Sequence, residues 1–142
     1  MSLHFSKSEL TASDTAVRLG IDNTPSPQIV ANLEVLAMGL EDIRDILGHP
    51  VRINSGYRCP KLNTVIKGSR TSAHMEGYAA DFTCPAFGTP LEVVKAIEKS
   101  PLAFDQCIQE GTWVHISFAP EERRRVLTAH FGPNGTTYTE GA

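Results

Sequence analysis

The chain has 142 residues, a length that suits one domain with a core of its own. Its 13 Lys and Arg against 16 Asp and Glu leave a net charge of -3, so there is no basic stripe to grip a phosphate backbone and nucleic acid is excluded as an expected partner. No apolar run approaches the roughly 20 residues of a membrane span, and the opening Met1 to Asp14 lacks the apolar stretch of a secretory signal, so neither a span nor an export signal is expected.

In chain order, Ser6 and Glu9 have the spacing of a capping box and predict a short opening helix, with a loop from Gly20 to Pro27. Ser26 as N-cap and Pro27 at the first helical position begin a long amphipathic helix. Val30, Leu33, Leu36, Ala37, Leu40, Ile43 and Leu47 form its stripe, and Gly48 closes it. Val51 to Asn54 alternates as a strand, Pro60 to Ile66 is a brief helix, and Ser69 to His74 is a polar loop. Beyond Gly77, Tyr78 to Thr83 reads as a buried strand carrying one carboxylate, Asp81. Thr89, Pro90 and Glu92 combine N-cap, first-turn proline and capping-box acid, predicting a helix to about Lys99 with Leu91, Val94 and Ile97 on the core. Phe104 to Glu110 and Trp113 to Phe118 alternate on either side of Gly111-Thr112, the pattern of a tight hairpin. Glu121 to Thr128 is expected to be a helical turn or two, and Pro133 onward a turn and a loose tail. The order of elements predicts an α+β domain with a small, largely antiparallel sheet and packed helices.

Three cysteines, Cys59, Cys84 and Cys107, are widely spaced and form no CxxC pair, so free, mostly buried thiols are expected and any metal should sit on His and carboxylate. Asp81 lies between Ala80 and Phe82, and a buried carboxylate there needs a partner. His74 is the nearest candidate, since the Gly77 bend can fold the loop back over the strand. On the strand Trp113 to Phe118, Trp113, His115 and Ser117 share one face while Val114, Ile116 and Phe118 take the core face. If Gly111-Thr112 is a two-residue loop, Glu110 lies opposite Trp113 and shares the face of His115 as a diagonal neighbour, about 7–8 Å away at Cα. Two His and one Asp leave an open position on a tetrahedral zinc ion, the pattern of a catalytic site, where a metal-bound water can act and a nearby Glu can carry its proton. Arg58 reads locally as a surface loop arginine, with contact to a substrate carboxylate or an oxyanion as the alternative, while His4, His49 and His130 lack a partner pattern.

Ser55-Gly56-Tyr57-Arg58, Asn63, Gly68-Ser69, Ser72-x-His74, Gly77-x-Ala79-x-Asp81 and Trp113-Val114-His115-Ile116-Ser117 together resemble the zinc D-Ala-D-Ala carboxypeptidases. That family includes phage L-alanyl-D-glutamate endolysins and shares its fold with hedgehog signalling domains, and the resemblance extends over nearly the whole chain. It implies one Zn2+ held by His74, Asp81 and His115, Arg58 as a substrate or transition-state contact, and Ser72 as a pocket residue. Trp113, on the His115 face, is a further substrate-binding candidate. Some members place the catalytic base three residues before the last His, where this chain has Thr112, which cannot serve; others place an acid-base residue five before it, here Glu110. The implied organisation is a single zinc peptidase domain over 1–142, with N-terminal helices over 1–50, a catalytic core over 51–120 and a loose tail over 130–142. The implied partner is the peptidoglycan stem peptide, acted on by a monomer that stays in the cytoplasm until released or travels with a virion. The competing expectation is a module of the same fold that keeps zinc but only binds.

Overall fold

The long helix forms where its caps predict. Ser26 accepts a hydrogen bond from the Ile29 N–H at 3.3 Å, and Gly48 at φ 68° closes helix α3, Pro27–Leu47. Two short helices precede it where one was expected, α1 Lys7–Thr11 and α2 Asp14–Leu19, each opened by a serine hydroxyl that accepts a backbone N–H. The computed structural model describes residues 1–142 and continues with β1 Arg52–Ser55, α4 Pro60–Val65, a 3-10 turn Ala73–Glu76 and β2 Ala79–Thr83. Then come α5 Pro90–Lys99, β3 Gln106–Gln109, β4 Val114–Ser117, β5 Arg125–Gly132 and β6 Gly135–Glu140. The 3-10 turn takes up the end of the expected polar loop.

All six strands join one sheet in the order β1-β2-β4-β3-β5-β6, antiparallel throughout except for the parallel pair β3 and β5. This is the α+β architecture the sequence implies. Leu33, Leu36, Leu40 and Ile43 of α3 meet Phe82, Val114, Ile116 and Cys107 on one face of the sheet, with Val94 and Ile97 of α5 in the same core. No helix is long and apolar enough to cross a membrane. The three thiols are free, with Cys84 and Cys107 buried.

Three expectations are corrected. Leu91 is 36% exposed and Val93 takes the expected core position beside Val94 and Ile97, because at about 100° per residue Val93, Val94 and Ile97 form one stripe of α5 and Leu91 falls outside it. Arg125 to Thr128 is strand: it extends the sheet beside β3 in parallel register, Cys107 opposite Val126 and Ile108 opposite Leu127. The expected loose tail is also strand. Gly132 pairs with Gly135, so Pro133-Asn134 is a two-residue loop, and β6 runs back along β5 from Gly132 to Leu127.

A row of side chains decides what the other face of the sheet can do. Directly opposed residues share a face, so Asp81 on β2, His115 on β4, Ile108 on β3, Leu127 on β5 and Glu140 on β6 lie in line across five strands, facing away from α3 and α5.

Candidate metal centre

Asp81 and His115 are partners in the β2–β4 register, which brings their side chains together on the open face while Ala80, Phe82, Val114 and Ile116 fill the core behind. His74 reaches the same point from the 3-10 turn. Ser72 opens that turn by accepting the His74 N–H at 3.2 Å, Gly77 closes it at φ 81°, and Tyr78 N–H donates to Ala73 O at 3.1 Å, folding the loop back onto β2. A side chain at Gly77 would be strained at this φ and would press on Ile29 of α3.

The geometry assigns the His74 proton. Nδ1 lies 2.7 Å from Gly56 O, and a carbonyl can only accept, so Nδ1–H donates and Nε2 presents its lone pair to the site. Nε2 is 3.2 Å from Asp81 Oδ1, and His115 Nδ1 is 3.1 Å from the same oxygen. The ligand atoms of all three residues lie within 4.8 Å of one another, and the two imidazole rings meet edge to face at 5.1 Å. Two ring nitrogens converging on one carboxylate oxygen need a proton or a cation between them. This donor set, two imidazoles and one carboxylate, fits a metal ion of the zinc class. Burial pushes His74 down, toward the neutral form that binds metal, and outweighs the pull of Asp81. Burial alone would raise Asp81, but its close contacts with the His115 and His74 ring nitrogens prevail and hold it well below the usual carboxylate range.

The group stands in a cleft of about 960 Å³ that also exposes Arg58, Ser72, Glu110 and Trp113. Arg58 is tied to the centre through its backbone, whose N–H donates to His74 O at 3.1 Å, while its side-chain Nε is buried with no hydrogen-bond partner. Glu110 N–H donates to Trp113 O at 3.0 Å, so Gly111-Thr112 is the two-residue loop expected, and Glu110 faces the cleft with His115. Burial raises the Glu110 carboxyl above its ordinary value, with the Asp81 charge adding to the rise and His115 opposing it.

Residues 3–117 match the family model described as Peptidase M15. The chain belongs to the peptidase M15 family. This is the zinc D-Ala-D-Ala carboxypeptidase-like family that the sequence motifs resemble, and it implies a zinc metallopeptidase. No match was found among curated proteins. In this M15 domain the His-Asp-His group forms a site able to hold a metal ion.

Sequence reasoning missed one side of the M15 cleft. Ile108 of β3, Leu127 of β5 and Tyr138 of β6 line it, as do Arg123 and Arg125, and β5 and β6 lie beyond the matched residues. The turn residues Pro133-Asn134-Gly135, flanked by the apolar and β-branched runs Val126 to Phe131 and Thr136 to Tyr138, are the hairpin signal that identifies this region from sequence.

Proposed function

We propose that this chain is a zinc peptidase that hydrolyses amide bonds in the stem peptides of bacterial peptidoglycan, with one zinc ion on His74, Asp81 and His115. The observation that carries the reading is the convergence of His74 Nε2, His115 Nδ1 and Asp81 Oδ1 in a cleft that is also lined by Glu110 and Arg58. Zinc bound by two His and a carboxylate supplies a Lewis acid that polarises a carbonyl and brings the pKa of a water to about 7.

The chain's own groups do the rest. Glu110, ionised, accepts the proton that water gives up as it adds to the carbonyl carbon, and returns it to the amide nitrogen as the C–N bond breaks. This leaves a carboxylic acid and an amine, between which the acid proton then passes to give carboxylate and ammonium. Its raised pKa brings it closer to neutrality, which suits a group that must both take and give a proton. Arg58 lines the cleft, and its guanidinium can meet a substrate oxygen there, either a carboxylate or the oxyanion. Gly56 O keeps His74 in the tautomer that a metal needs.

The cleft favours cutting within a chain, as endolysins do. It continues on both sides of the three ligands, from Ile66 to Ser72 on one side to Ile108, Leu127 and Tyr138 on the other, so a peptide can extend past the cut bond in both directions. Removal of a terminal D-alanine is the second reading, favoured by the Arg58 guanidinium on the cleft, a natural clamp for a terminal carboxylate. Incubating the zinc-loaded protein with purified peptidoglycan and identifying new termini by mass spectrometry separates them. New amino termini inside the stem mean an endopeptidase, and free D-alanine means a carboxypeptidase. An unchanged peptidoglycan with zinc bound would reject hydrolysis and leave the binding module.

A further inference from the structure

The β5–β6 hairpin lies outside the matched residues 3–117, yet it forms a wall of the cleft that holds the metal group. Its placement follows from register. Ala129 lies opposite Tyr138 and Leu127 opposite Glu140, so Leu127, Ala129, Tyr138 and Glu140 all stand on the sheet face that carries Asp81 and His115. Ile108, Leu127 and Ala129 form a small buried apolar cluster on that face, separate from the main core, and Ile108 pairs with both His115 and Leu127. Next to the metal row, then, the cleft floor is apolar, and Tyr138 stands at its far edge, half-exposed and able to turn toward a ligand.

The hairpin is held in place by contacts that leave Tyr138 free to serve the cleft. Asp105, buried at the start of β3, receives a two-pronged bond from Arg123, Nε at 2.8 Å and Nη2 at 2.9 Å. Arg125 bonds Glu140 across β5 and β6 at 2.7 Å, and Thr128 Oγ1 donates to Gly141 O at 2.6 Å. Arg123 and Arg125, the two arginines on this side of the cleft, are thus already paired with carboxylates, so the wall adds no free positive charge from them. It offers instead an apolar floor and a phenol. Burial and the neighbouring Glu110 charge push the phenol up, so at neutral pH it is protonated and donates.

We infer that the β5–β6 hairpin is a substrate-binding wall in which Tyr138, over the Ile108–Leu127 floor, holds an uncharged stretch of the peptide some residues away from the bond that is cut. Strand β6 is three strand spacings from β4, about 14 Å at 4.8 Å each, so Tyr138 reaches the substrate at a distance from the metal rather than at the reacting carbonyl. The inference rests on the peptidase reading above and adds to it a preference for longer peptides.

The test compares wild type, Tyr138→Ala and Tyr138→Thr on two substrates, a synthetic stem pentapeptide and a blocked dipeptide containing only the cleaved bond. An aromatic contact and a hydrogen bond of ordinary strength together predict a loss of about 5–30-fold in kcat/KM on the pentapeptide, mainly through KM, with zinc content unchanged. On the dipeptide the variants should match wild type. Equal losses on both substrates would mean a structural role, and no loss on the pentapeptide would mean that Tyr138 does not touch substrate; either overturns the inference and leaves the peptidase reading standing. Threonine suits an exposed strand position, so it separates a folding defect of the alanine variant from a binding defect. Trp113, the one tryptophan of the chain, lines the cleft and supplies a readout without turnover. If wild type cleaves neither substrate, the peptidase reading fails, and the inference is then decided by pentapeptide titration of Trp113 fluorescence. Weaker binding by Tyr138→Ala and Tyr138→Thr supports it, and equal or absent binding overturns it.

Discussion

Gly56→Ala should loosen the metal centre without touching a ligand. A Cβ on Gly56 would stand 2.2 Å from the backbone oxygen of Leu10, and an ordinary carbon–oxygen contact is about 3.3 Å, so the chain at residue 56 must retreat by about 1 Å. The obstacle is backbone, fixed further by the Tyr57 N–H to Leu10 O bond at 2.8 Å, and cannot swing aside as a side chain would. Gly56 O lies 2.7 Å from His74 Nδ1, and a shift of that size at residue 56 displaces the carbonyl by more than the roughly 0.5 Å over which a good N–H···O bond persists. Without that acceptor His74 loses both its tautomer and its orientation. Loss of such an outer partner typically costs 10–100-fold in metal affinity, and the overpacking itself costs about 1–3 kcal/mol of stability. Zinc affinity measured by chelator competition, together with urea unfolding of the metal-free protein, reads the two effects separately. Wild-type zinc affinity in Gly56→Ala would refute the argument that Gly56 O orients the ligand.

His74→Ala, Asp81→Ala and His115→Ala should each lose zinc at equimolar metal by elemental analysis, since a three-ligand site cannot spare one; full occupancy in all three would place the metal elsewhere. Glu110→Gln should keep zinc while kcat falls by about 10²–10⁴-fold. Burial raises Glu110, so the acid limb of kcat/KM should lie above the ordinary glutamate value of about 4.3, with activity lost as pH falls through it. Under saturating zinc the Gln variant should lack that limb, and an unchanged limb would give the proton transfer to another group. The hydrogen bonds of Arg123 hold Asp105 below the usual carboxylate range, with burial opposing them. Its stabilisation is therefore complete above about pH 3.9 and is lost as pH falls through the lower folded value. Asp105→Asn should cost about 1–2 kcal/mol at pH 7, discounted because Arg123 is half exposed, and the gap to wild type in urea unfolding should narrow below pH 4.

Sequence by itself determined the elements whose signals are local. Ser26, Pro27 and Gly48 bound α3, Thr89 and Glu92 form the capping box of α5, and Gly111-Thr112 sets the hairpin that turns Glu110 toward His115. Caps and tight turns act within four residues, so their chemistry is written in adjacent letters. The candidate metal-holding residues were legible for a different reason. Asp81 sits in an apolar strand where a lone carboxylate is costly, and the spaced motif ending in His115 resembles a known family. Only the tertiary structure decided the Asp81–His115 register, the proton on His74 and the wall carrying Tyr138. Gly56 O is 18 residues from His74, and Leu127 reaches the metal row only through parallel pairing with β3. Such contacts depend on which strand edge is free to accept β5, a property of the assembled sheet. Val126 and Leu127 show the limit plainly: neighbours in sequence, they face opposite sides of the sheet, one in the main core and the other in the floor of the cleft.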